Sequence, residues 1–128
     1  MIQLQTKVKI VDNSGAKTAK CIKAKKSKKN TAKIGNFILV SIKKVQHSIN
    51  SKNKKSIKPK KNQIFKGLVL TTKFQYKKQN GFFLKFAENS VVLLDKNDNL
   101  ISNRVDMVVL KNLKKKVAKL VNFAKYSI

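Results

Sequence analysis

Phe37-Ile38-Leu39-Val40-Ser41-Ile42 follows the turn-forming Ile34-Gly35-Asn36 and is rich in β-branched and aromatic side chains. A short apolar run bounded by turn residues is a buried strand rather than a helix, and this one is expected to be the central strand of the core. Working towards the N-terminus, Lys25 to Lys33 reads as a charged loop, and Lys17 to Ala24 as a strand. Asp12-Asn13-Ser14-Gly15 offers residues that favour turns and tolerate positive φ. Before that turn, Lys7-Val8-Lys9-Ile10-Val11 alternates lysine with β-branched residues, the period of a half-buried strand.

Towards the C-terminus, His47 to Gln63 carries lysines, Ser, Asn and Pro59 with almost nothing apolar, which predicts a solvated loop or hairpin projecting from the body. Ile64 to Lys73 reads as the next strand, Gln79-Asn80-Gly81 as a hairpin turn into Phe82 to Phe86, and Val91 to Leu94 as a further short strand. Asp95 to Asn99 is a turn, after which the run of strands stops. Leu110, Leu113, Val117, Leu120, Val121 and Ala124 then recur at helical spacing with lysines between them, so that one or two short helices are expected within 108–126. Short strands separated by turns, with helices only at the end, predict an all-β fold: a small closed five-stranded β-barrel with a projecting basic hairpin at 47–63 and short C-terminal α-helices. The 128 residues suit a single domain spanning 1–128.

Charge points to the partner. Lys+Arg number 31 against 5 Asp+Glu, a formal net charge of +26, and such a surplus repels itself unless a polyanion neutralises it. Nucleic acid does so by exchanging condensed counterions for lysines. The hydrophobic fraction of 41% supplies a core, which separates this chain from a disordered basic tail. Arg104 is the only arginine, and lysine lacks the planar fork that reads guanine, so contacts to backbone and shape are expected over base readout. No apolar run approaches the ~18 residues of a membrane span. A strand pattern within the first ten residues leaves no targeting peptide ahead of the domain, and the single cysteine, Cys21, permits a reducing compartment.

Catalysis needs titratable groups that converge. Asp12, Glu88, Asp95 and Asp98 sit in turn segments, Asp106 stands apart, His47 edges a lysine-rich loop, and Cys21 lies in a strand as a small packing residue. Neither a metal site nor a phosphate-cradling glycine loop can be assembled, so an enzyme and a bound cofactor are both disfavoured. Three lysine clusters carry the positive signal: Lys23 to Lys33, Lys52 to Lys61 and Lys111 to Lys119. Phe74, Tyr76, Phe82, Phe83 and Phe86 have base stacking as one reading, but most are expected in the core, with Tyr76 exposed among lysines. The last helix is expected to dock on its own barrel rather than on a membrane.

Met1-Ile2-Gln3-Leu4-Gln5-Thr6, Val11-Asp12-Asn13-Ser14-Gly15-Ala16 and Cys21-Ile22-Lys23 resemble the opening of the universal large-subunit ribosomal protein fourteen family. Gly67-Leu68-Val69-Leu70, then nine residues, Asn80-Gly81, four residues, Phe86, two residues, Asn89, two residues and Val92-Leu93 resemble that family's diagnostic pattern. The resemblance covers nearly the whole chain, with the 47–63 segment longer and richer in lysine than the family's. It implies a five-stranded barrel bound to large-subunit rRNA on the subunit-interface side, beside other ribosomal proteins and bridging to small-subunit rRNA. It places rRNA contacts at Lys25, Lys26, Lys28 and Lys29 of the first loop and at Lys52, Lys54, Lys55 and Lys58 of the hairpin. A ribosome silencing factor docks in the family on a Thr-Arg pair and a lysine of the last helix, which match Asn103, Arg104 and Lys119. The threonine is replaced by Asn103, and the glycine-proline that follows the arginine by Asp106-Met107-Val108. Abundant Lys, Asn and Ile, with scarce Gly and Pro, suggest an AT-rich genome. A mitochondrial ribosome with an organelle-encoded gene is the leading expectation, ahead of a plastid or an AT-rich bacterial cytoplasm.

Overall fold

In the computed structural model the residues described are 1–24, 30–46, 58–115, 117 and 119–128. Strands β1 (Lys7–Ile10), β2 (Ala16–Ala24), β3 (Phe37–Val45), β4 (Ile64–Thr71) and β7 (Ser90–Leu94) close into a barrel in the order β1-β2-β3-β4-β7. All neighbours are antiparallel except the closing pair, β1 against β7. Between β4 and β7 a small hairpin, β5 (Tyr76–Lys77) with β6 (Phe83–Leu84), stands outside the barrel.

Inward-facing side chains make the first core. Val8 and Ile10 of β1, Ile38, Val40 and Ile42 of β3, Val69 of β4 and Val91 and Leu93 of β7 fill the barrel. β2 contributes the small residues Ala16, Ala19, Cys21 and Ala24, which leave room for the branched side chains opposite. Their spacing is not strictly two because the β2–β3 register shifts between Ala16 and Ala19 and again between Cys21 and Lys23, and both irregular stretches return the next small residue to the interior. Burial pushes the Cys21 thiol above its ordinary pKa, which keeps it in the packing role read from the sequence.

A second core lies outside the barrel wall. Leu68 and Leu70 of β4 and Val92 and Leu94 of β7 point outward and are covered by Val105, Val109, Leu110, Leu113, Val117 and Leu120. The C-terminal segment that covers them carries the short helices expected, flanked by two strands that the sequence did not announce. β8 (Val105–Val109) is followed by a 3-10 helix (Lys111–Lys115), a single α-helical turn α1 (Leu120–Phe123) and β9 (Ala124–Ser127), which pairs in parallel with β8. Leu113, Val117 and Leu120 are buried at the helical spacing, yet the backbone between them is only partly helical. Lysines at four-residue spacing, Lys111, Lys115 and Lys119, repel one another along a helix, so packing rather than propensity sets the conformation. β3 also departs from its reading: Phe37, Leu39 and Ser41 are half-buried, and the strands buried on both faces are β7 and the second half of β4.

The turns follow the sequence closely. Asp12 accepts from the Ser14 amide at 3.1 Å, and Gly15 ends the turn at φ +91°. Lys78 N–H donates to the Phe82 carbonyl at 2.8 Å around Gln79-Asn80-Gly81, with Gly81 at φ +82°, a three-residue hairpin loop closed by a left-handed glycine. Of the 47–63 segment, residues 58–63 are described and join it to the barrel. The Asn62 amide donates to the Ile42 carbonyl at 2.8 Å, and the Ile42 amide to the Gln63 carbonyl at 3.0 Å, so this end of the segment runs along β3, and Pro59 is buried.

Candidate nucleic-acid interface

Alternation on β1 sends Val8 and Ile10 inward and Lys7 and Lys9 to the surface. On β2 the same rule exposes Lys17, and register places Lys7 directly opposite Lys20. Like charges facing one another across an antiparallel pair destabilise it, so this face is better off with an anion on it. Beside it opens a cleft of about 680 Å³ lined by Lys7, Lys9, Lys17 and Lys73, with Glu88 and Asn89.

The backbone beneath these lysines is pinned. Lys9 N–H donates to the Asn89 carbonyl at 2.9 Å, and Lys73 N–H to the Asn89 side-chain oxygen at 2.9 Å, so one asparagine ties the start of the barrel to the end of β4. The Thr71 hydroxyl donates to the Glu88 carbonyl at 2.9 Å and contacts the Ser90 hydroxyl at 2.6 Å. Glu88 takes Lys9 Nζ at 2.8 Å in a half-exposed pair, a weak contact that water and salt screen. A cleft with four lysines and one carboxylate keeps a net positive field, suited to phosphate.

Asp98 and Asp12 are engaged in structure. Asp98 pairs with Lys66, whose ammonium also lies 4.4 Å from the centre of the Phe37 ring. Asp12 accepts from the Ser14 amide and hydroxyl and, across the wall, from the Leu93 amide at 2.9 Å. Burial holds its carboxyl above the ordinary carboxylate range, and the hydrogen bonds from Ser14 and Leu93 oppose that rise. Among the described residues, no group of three or more His, Cys, Asp or Glu is placed to hold a metal ion. No helix among them is long and apolar enough to cross a membrane.

The sequence-derived site residues divide. Lys25, Lys26, Lys28, Lys29, Lys52, Lys54 and Lys55 lie outside the described residues, as does His47. Lys58 is exposed. Asn103, Arg104 and Lys119 are all exposed, and Arg104 Nε donates to the Asp106 carboxylate at 2.9 Å. Their placement is set by neighbours: Val105 and Leu120 both sit in the second core, while the Arg104 carbonyl accepts from the Asn13 amide at 3.3 Å. Asp106-Met107-Val108, where the family has glycine-proline, belongs to strand β8 rather than to a turn.

Sequence reasoning missed the cleft lysines because Lys7 and Lys9 read only as the polar half of a strand. Their signal was the absence of any acid in that alternation. It also misplaced the aromatics. Phe74, Phe82 and Phe83 are 51%, 71% and 57% exposed, while Tyr76, expected at the surface, packs with Leu84 and Phe86 against the second core.

The family model described as ribosomal protein L14p/L23e matches residues 1–128. A relative from Carsonella ruddii (strain PV), named large ribosomal subunit protein uL14, is 41% identical over 126 residues, covering 97% of each chain. A lysine-faced closed barrel matched over its full length by that family leaves one assignment: the chain belongs to the ribosomal protein L14p/L23e family.

Proposed function

We propose that this chain sits on the subunit-interface side of the large ribosomal subunit, where its lysines hold rRNA phosphates and its exposed edge contributes to bridges with small-subunit rRNA. Family membership makes it a structural constituent of that subunit that binds rRNA, not an enzyme. The observation that carries the binding mode is the four-lysine cleft on a wall whose backbone is hydrogen-bonded into the barrel, a rigid array suited to a shaped phosphate surface. Lys25, Lys26, Lys28, Lys29, Lys52, Lys54, Lys55 and Lys58 extend the contact along the first loop and the 47–63 segment, and neighbouring large-subunit proteins pack on the less charged faces.

Asn103, Arg104 and Lys119 form the docking place for a ribosome silencing factor. The exposure of all three supports this reading, and undiminished capture of the cognate factor by an Arg104→Ala variant would remove it. For the compartment, composition favours an organelle-encoded mitochondrial ribosome, whereas the relative from Carsonella ruddii favours a bacterial one. Both place the chain in a bacterial-type ribosome.

The test is sedimentation of a native lysate through a sucrose gradient at moderate salt, with the chain followed by mass spectrometry. Co-migration with large subunits and whole ribosomes is expected. Recovery at the top of the gradient would identify a free nucleic-acid binder instead.

A further inference from the structure

We propose that the outer face of the β5–β6 hairpin is a stacking platform for unpaired bases of large-subunit rRNA, an inference that rests on the rRNA-binding reading above. Register puts Lys77 opposite Phe83 and Tyr76 opposite Leu84. Alternation then gives the hairpin two unlike faces. Tyr76 and Leu84, with Phe86 beyond them, pack on the second core, while Phe83 and Lys77 face outward and Lys85 is exposed. Phe82 at the loop and Phe74 at the root add two more exposed rings.

Three exposed phenylalanines on so short a segment leave apolar surface in water, which is informative because single exposed apolar residues are common and clusters are not. The charge around them selects the occupant. Lys73, Lys77, Lys78 and Lys85 punctuate the segment, and the only acid near its root, Glu88, is already paired with Lys9. An unpaired RNA strand presents π-faces to the rings and phosphates to the lysines at once. Lys77 Nζ lies 5.9 Å from the centre of the Phe83 ring, at the outer limit of a cation–π contact, so the ring is not tightly covered. The hairpin is also continuous with the lysine cleft. Lys73 lines that cleft and Phe74 follows it in the chain, so a strand whose phosphates lie in the cleft has its next bases at the hairpin.

The full-length protein is titrated with a labelled single-stranded RNA of about 16 nucleotides and with a duplex of similar length over a range of salt. Phe83→Ala is expected to weaken single-strand binding by roughly five- to 150-fold at an unchanged salt slope, to leave duplex binding alone, and to be rescued by Phe83→Trp. Ultraviolet irradiation of native large subunits should leave a nucleotide adduct on the peptide holding Phe82 and Phe83. Unchanged single-strand affinity in Phe83→Ala, alongside weakening by Lys7→Gln, would overturn the platform while leaving the rRNA reading intact. A cross-link from Lys77 or Lys85 to a protein neighbour in place of the nucleotide adduct would also overturn it. Failure of the unaltered protein to bind either RNA or to sediment with large subunits would instead sink the functional reading on which the platform rests.

Discussion

β1 and β7 lie side by side and share the register pairs Lys9 with Ser90 and Ile10 with Val91, yet their outer faces have opposite fates. Inside the barrel they are alike, with Val8 and Ile10 on one and Val91 and Leu93 on the other. Outside, β1 shows Lys7 and Lys9 to solvent, while β7 shows Val92 and Leu94 to the C-terminal segment. The difference separates the surface the chain uses for its own folding from the surface it offers to a partner. Strict alternation marks a wall with one face free, and an unbroken apolar run marks a wall with both faces taken.

Exchanging the two patterns tests this most severely. Val92→Lys puts an ammonium into a fully buried site without an anion, and a domain held by about 5–15 kcal/mol cannot absorb that cost. Loss of the cooperative thermal transition is the expected outcome, read by circular dichroism. A normal transition would show that the C-terminal segment does not seal β7. A milder break trims one side chain from the cover. Leu120→Ala, at a position with no solvent exposure, is expected to cost about 2–5 kcal/mol, seen as a lower urea midpoint. A cost below about 1 kcal/mol would mean that α1 only rests on the barrel.

The same contrast explains what could be read in the sequence. Lys7 to Ile10 and Val91 to Leu94 were legible as strands because burial on one face or on both leaves a periodic trace. Gln79-Asn80-Gly81 was legible because a left-handed turn position calls for glycine. β8 and β9 were not, since Val-Asp-Met-Val-Val barely alternates, Ala-Lys-Tyr-Ser does not alternate, and their parallel pairing needs a crossover rather than a tight turn that sequence would mark. The spacing of Leu113, Val117 and Leu120 found the buried face without finding the backbone that delivers it. At the interface, lysine runs drew attention to loops, whereas the cleft is built from lysines scattered over β1, β2 and the residues after β4, which only the closed barrel brings together. The exposed phenylalanines ran against the usual preference of aromatics for the core.

Asp12 links the two regions, because the turn after β1 reaches the β7 backbone through its carboxylate. Asp12→Ala leaves the Leu93 amide without its acceptor and is expected to cost about 1–3 kcal/mol, with Asp12→Asn intermediate because one oxygen remains. Since burial raises this carboxyl's pKa, the folded state holds the proton more tightly than the unfolded chain does. The stability this confers is present at low pH and is lost as pH rises from about 3.9 through the raised value. Denaturation of the Asp12→Asn variant across that interval should lack this component. An identical pH profile would assign the slope to other groups.

The smallest effect on stability is expected where the effect on binding is clearest. Lys7→Gln removes one of two ammonium groups facing each other across β1 and β2, so stability should hold or rise by about 0.2–1 kcal/mol. RNA affinity should fall, and the slope of log affinity against log salt should shrink by about 0.7–0.9 for each phosphate that is no longer neutralised. Lys111→Gln, on the segment that covers β7, serves as the contrast: it is exposed but stands on the self-packed side. If the two substitutions reduce the slope equally, positive charge is used without regard to place, and the division between the two walls describes folding alone. If only Lys7→Gln reduces it, the wall that alternates is the one that meets RNA.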